Sequence, residues 1–119
     1  MMEIIKKAKV MKTAGKPPKK IEEFIGMESN GIKEISIARM KSLSGWSEPG
    51  QTPDFDEYIT VIKGFLRVKT KTKTADIKAG QSVIMTKDTW VQYSTPKGAE
   101  YFSVCLPAFT MNSVHRNEK

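Results

Sequence analysis

Gly50-Gln-Thr-Pro-Asp-Phe-Asp-Glu-Tyr-Ile-Thr-Val-Ile-Lys-Gly-Phe-Leu-Arg-Val68 reads as a turn, an acidic cluster, a strand, a glycine-centred tight turn and a second strand. Period-two alternation on the first strand predicts Glu57, Ile59 and Val61 facing inward and Tyr58, Thr60 and Ile62 facing outward. Lys63-Gly64 is expected to turn a hairpin between strands at 58–62 and 65–71, because glycine permits positive φ. An inward carboxylate on an otherwise apolar strand is costly unless it meets a metal, a cation or a hydrogen-bonding ligand. Glu57 is therefore a candidate pocket residue. The alternative is a hydrated strand-start carboxylate that caps nearby backbone amides.

Outward from this stretch, the sequence predicts strand after strand. Alternation marks 34–40, with Ile35 and Ile37 opposite Ser36, Ala38 and Met40, and further strands are expected at 74–77, 82–85, 90–94 and 100–106. Turn residues divide them, and Pro107 ends the last. Residues 42–51 form a Ser/Gly/Pro-rich connection carrying Trp46. Residues 1–10 alternate weakly and suggest an edge strand, and 13–20 read as a loop around Gly15 and the Pro17-Pro18 pair. In 19–26, Ile21, Phe24 and Ile25 share a helical face and Gly26 sits where a C-cap belongs, predicting a short helical turn. The tail 112–119 is polar and is expected to be loose. Short, closely spaced strands argue an all-β sandwich or barrel.

At 119 residues the chain is long enough for one modest core. Residues 1–33 would supply the N-terminal segment, 34–107 the barrel core and 108–119 an extension. No apolar run approaches the roughly 20 residues of a membrane span, and 1–12 lacks the apolar core of a signal peptide. The single Cys105 cannot form an internal disulfide, which agrees with a cytoplasmic setting; in its apolar strand it is expected to be an inert, buried thiol. The net charge of +7 raises a polyanion as partner, yet only Arg39, Arg67 and Arg116 among twenty basic residues are arginines. Arg67, Lys69, Lys71 and Lys73 alternate along one strand face without an interleaved aromatic, which favours a solvated face over a nucleic-acid groove.

The Gly50–Val68 stretch resembles the first motif of the cupin superfamily, in which a glutamate precedes a turn glycine as Glu57 precedes Gly64. In metal-binding cupins two histidines lie just upstream of that glutamate; here those slots hold Gln51 and Pro53. Gly80 to Tyr93 resembles the second motif, with Thr86 in its proline slot, Asp88 in its turn-glycine slot and Val91 where the third histidine stands. Gly45 to Tyr58, Tyr93-Ser-Thr-Pro96 and Cys105-Leu-Pro-Ala-Phe109 are similar to small single-domain cupins loosely related to the ethanolamine-utilisation cupins. The resemblance implies an all-β, cupin-type barrel (a jelly-roll-like, double-stranded β-helix), here with a short N-terminal helical turn, and a homodimer.

It implies no tightly bound transition metal, because the imidazoles are missing and the only histidine is His115, expected to be an exposed tail residue. Gln51 and Glu57, with Asp54 or Asp56, leave a weak oxygen-only set for Mg²⁺ or Ca²⁺. A small-molecule ligand is the expected partner. Gln51, Glu57, Trp46, Arg39, Gln92 and Tyr93 are candidate ligand-binding residues, with Trp46 at a pocket rim or in the core and Trp90 in the core. Three functions follow: a metal-free small-molecule-binding protein, an isomerase- or lyase-like enzyme using Glu57 with Tyr93 or Arg39 on a small carbonyl or carbohydrate-like substrate, or a basic polyanion-binding module.

Overall fold

The computed structural model describes residues 1–13 and 15–117, so Ala14 of the 13–20 loop and Glu118 and Lys119 of the tail lie outside the described residues. Among the described residues nine strands follow one another: β1 (Lys9–Thr13), β2 (Lys19–Ile25), β3 (Ser36–Ser42), β4 (Trp46–Ser47), β5 (Asp56–Thr70), β6 (Thr74–Lys78), β7 (Ser82–Met85), β8 (Val91–Thr95) and β9 (Ala99–Leu106). A four-residue helix, α1 (Met27–Asn30), follows β2, and a 3-10 turn spans Met111–Ser113. All strand pairings are antiparallel, in the order β1-β2-β3-β9-β5-β8-β4, with β6 and β7 also paired to β5. The sheet curls into an all-β barrel, and no helix among the described residues is long and apolar enough to cross a membrane.

The expected hairpin at Lys63-Gly64 is not there. Residues 56–70 form one continuous strand of 15 residues. Its first half pairs with β7 and β9, and its second half with β6 and β8. A register shift between Val61 and Lys63 inserts the irregularity that lets one strand serve both sheets. Its consequence is visible in the side chains: Glu57, Ile59 and Val61 are buried before the shift, Leu66 and Val68 after it, so the inward set passes from odd to even numbers. The turn lies instead beyond Thr70, where Lys71 and Lys73 sit between β5 and β6. The basic stripe is therefore broken: Arg67 pairs with Asp76 at 2.8 Å, and Lys71 lies 4.6 Å over the Trp90 ring.

The helical turn expected at 19–26 is also corrected. Those residues form β2, and the helix begins just after it, at Met27. Lys19, Ile21 and Glu23 point inward, so two of the three inward positions carry charges and the period-two pattern is hidden behind an apparent helical face. The edge strand is β1, which begins at Lys9, and the 42–51 connection contains β4. The main core gathers Trp46, Ile59, Val61, Leu66, Val68, Val91, Tyr93, Ala99 and Tyr101. Phe55, Cys105 and Val114 form a smaller cluster with Phe109 packed against it.

The tail is held rather than loose as far as it is described. Thr52 N–H donates to Val114 O (3.1 Å), Asp54 N–H to Ser113 O (2.8 Å) and Asn117 N–H to Gly50 O (2.7 Å). His115 remains exposed, but it is pinned to Asp54, with Nε2 2.7 Å from Oδ2. Trp90, expected in the core, is half-buried and donates from Nε1 to Asn117 Oδ1 at 3.0 Å.

Candidate functional site

The interior of the barrel holds a cavity of about 40 Å³ whose walls include β2, β3, β5, β8 and β9 and part of the folded-back tail. Strand alternation sets what faces it. β5 delivers Glu57 and Ile59, β8 delivers Tyr93, and β9 delivers Tyr101, Ser103 and Cys105. β2 delivers Lys19 and Glu23. Glu48 and Gln51 enter from the connection after β4, and Arg116 enters from the tail. Gln51 is fixed by its backbone, which exchanges both hydrogen bonds with Val91 (2.9 and 2.8 Å) and bridges Arg116 on its other side.

Glu57 is buried and engaged at both oxygens. Tyr93 Oη donates to Oε1 at 3.0 Å and Ser103 Oγ to Oε2 at 2.5 Å. Burial raises the Glu57 carboxyl above its ordinary value, against the opposing pull of the Ser103 hydroxyl, the Lys19 ammonium and the Tyr93 hydroxyl. The Tyr93 phenol is pushed well above its usual range by burial and by the Glu57 charge. Cys105 is likewise driven upward, chiefly by burial, so its thiol stays protonated and unreactive.

Lys19 is the second centre. Its ammonium stands 3.7 Å from Glu48 Oε1, and Arg116 Nη2 approaches the same oxygen at 3.5 Å. Lys19 also lies 4.5 Å over the Trp46 ring, a cation–π contact from below the cavity. Burial works against the Lys19 charge, but Tyr101, Glu48 and Glu57 outweigh it and hold the ammonium above its ordinary value. Glu23 turns to the other end, where its Oε2 accepts the Ser29 N–H at 2.8 Å.

Of the residues singled out from sequence, Gln51, Glu57 and Tyr93 come together at the cavity. Trp46 does not line it; the ring is fully buried in the core behind Lys19. Arg39 is on the opposite face of β3, between Glu22 (3.8 Å) and Glu100. Gln92 points away from the interior and donates to the Glu48 backbone carbonyl at 3.0 Å, so it positions Glu48 rather than the cavity. Sequence reasoning passed over Lys19, Glu48, Ser103 and Arg116. Only a strand reading of 19–25 could have placed Lys19 beside Ile21 on an inward face.

The donor set does not fit a divalent metal. An ammonium and a guanidinium face the same space as Glu57, whose two oxygens are taken by hydroxyl donors. The expected oxygen-only set is dispersed: Asp54 is exposed beside His115, and Asp56 Oδ1 accepts the Lys87 N–H at 2.8 Å. Among the described residues no group of three or more His, Cys, Asp and Glu side chains is arranged to hold a metal ion.

Comparison with known proteins identifies the fold. The chain superposes on ethanolamine utilization protein Q of Salmonella typhimurium LT2 with a TM-score of 0.69 and 16% identity, covering 86% of this chain and 97% of that one. The EutQ protein of Clostridium difficile gives 0.62 and 19%, covering 78% and 71%. Oxalate decarboxylase of Bacillus subtilis gives 0.76 and 16%, covering 94% of this chain and 31% of that one. All three are cupins, and at these identities the likeness establishes the cupin fold and nothing further. In sequence, 99 residues are 38% identical to Endoribonuclease YbeY of Myxococcus xanthus; the match covers 82% of this chain but only 34% of that protein. No family model matches.

Proposed function

We propose that this cupin barrel binds a small polar molecule in the cavity between Lys19, Gln51, Glu57 and Arg116, with internal ion pairs in place of a metal. One observation carries the reading: Glu48 Oε1, Gln51 Oε1 and Arg116 Nε are buried, border the cavity and have no hydrogen-bond partner in the protein. Buried polar atoms are nearly always paired, so three on one cavity mark a place where a ligand's own polar groups complete the set. The volume of about 40 Å³ admits a few heavy atoms.

A thermal-shift screen of metals and small metabolites tests it. A cavity ligand at about 100 times its Kd should add about 2.7 kcal/mol to folding stability and raise Tm accordingly. Stoichiometric iron, manganese, nickel or zinc in the purified protein would overturn the metal-free part.

A second reading, acid–base chemistry at Glu57 with Tyr93, is favoured by their buried hydrogen bond and by the raised Glu57 carboxyl. It makes a signed prediction. A carboxyl whose folded pKa lies above its unfolded value binds its proton more tightly when folded. Its stabilising contribution is full below the ordinary value near 4.5 and is lost as pH rises through the raised value. Glu57→Gln removes this dependence, so the variant should gain stability relative to wild type as pH rises across that window. Urea denaturation over a pH series measures it; parallel curves for the two proteins would show that Glu57 titrates normally.

A further inference from the structure

Resting on the cavity's reading as a ligand site, we propose that it selects a small, net-neutral hydroxylated compound, a vicinal diol or hydroxycarbonyl, and discriminates against carboxylates of the same size. Two buried cations suggest an anion hook at first sight. The geometry points the other way, because both are already engaged. Lys19 and Arg116 converge on one oxygen of Glu48, and Glu57 is the second carboxylate acting on Lys19. The cations Lys19 and Arg116 and the carboxylates Glu48 and Glu57 therefore balance. A carboxylate ligand would add an uncompensated charge to a buried site.

Glu23 is the fifth charged group lining the cavity and a third carboxylate, so no cation is left over to receive an anionic ligand. Tyr93 and Ser103 spend their hydroxyl protons on Glu57, Glu23 is held at the far end by Ser29, and Tyr101 and Cys105 are kept protonated by burial.

The atoms without a hydrogen bond specify the rest; Glu48 Oε1 meets its two cations only at 3.7 and 3.5 Å. Glu48 Oε1 and Gln51 Oε1 accept; Arg116 Nε donates. Their complement offers two donors and one acceptor within a few atoms. Adjacent hydroxyls, or a hydroxyl beside a hydrated carbonyl, meet that demand. An ionised carboxylate group supplies acceptors only and leaves Glu48 and Gln51 unsatisfied.

Ligand-observed NMR on the intact protein at neutral pH tests this with ethylene glycol and glycolaldehyde against acetate, glycolate and protonated ethanolamine. So small a ligand is expected to bind with a Kd on the order of 1 mM. The neutral pair should bind at least tenfold more tightly than acetate or glycolate. Arg116→Gln, on the tail and away from the core strands, removes one cation and should turn the preference toward protonated ethanolamine. Should that variant fail to fold, the wild-type ranking still decides. Acetate or glycolate binding as tightly as ethylene glycol overturns the neutral class while leaving a ligand site in place. No binding by any compound, neutral or charged, overturns the neutral class and the ligand-site reading together.

Discussion

Glu48→Ala is expected to destabilise the fold by about 3–5 kcal/mol, the cost of leaving a buried cation without its partner. Glu48 is the common anion of the interior: its Oε1 faces the Lys19 ammonium at 3.7 Å and the Arg116 guanidinium at 3.5 Å, and its side chain is 1% exposed. Lys19 is buried, with 7% of its side chain exposed and its ammonium over the Trp46 ring. Lys19→Met should cost much less, because it keeps the packing against Trp46 and leaves Glu48 with Arg116. Joining Lys19→Met to Glu48→Gln should recover most of the loss, since replacing a buried ion pair by neutral groups of similar volume is often close to neutral. Urea denaturation of wild type, Glu48→Gln, Lys19→Met and their double variant gives the coupling energy directly. A coupling near zero would mean that the two groups are separately hydrated, and the charge balance of the cavity would fall with it.

The same residues show why the site was only partly legible. Glu57 could be read because its neighbours Ile59 and Val61 are apolar and alternate cleanly; Tyr93 and Gln51 followed from their places in the two motifs. Lys19 could not, because local pattern treats a lysine as a surface residue, and its partner Glu48 is a loop residue far along the chain. Each looks exposed alone, and only the folded pair makes either tolerable inside. Arg116 was hidden by its polar surroundings: Asn112 to Asn117 has the composition of a free tail, yet the backbone bonds at Gly50, Thr52 and Asp54 fold it back. Trp46, an aromatic on a Gly/Ser-rich loop, carries no local sign of its burial, which arises from the pairing of β4 with β8. The cupin fold itself was legible from strand spacing and motif resemblance, because many short strands contribute to it and no single misread element removes it.

Gly64 was the one motif residue identified correctly and given the wrong task, and its substitution separates the two roles. Gly64→Ala is expected to cost roughly 2–5 kcal/mol, combining the left-handed backbone penalty with steric overlap. Its φ is +71°, and a Cβ there would lie 2.2 Å from the carbonyl oxygen of Gly98 and 3.2 Å from the Cα of Ala99. Both are backbone atoms at the start of the paired strand β9, so no side-chain rotation can make room. A glycine at the tip of a surface hairpin would meet solvent instead and incur only the φ penalty. Gly80 supplies that reference within the same protein: its φ is +86°, and an added Cβ meets nothing within 4 Å. Gly80→Ala should therefore cost only about 1–2 kcal/mol. The excess at Gly64 measures how closely β5 approaches the Gly98–Ala99 backbone as it passes from one sheet to the other. Equal losses for the two variants would return Gly64 to the role of an ordinary turn residue and deny the continuous strand that brings Glu57 and Leu66 into one interior.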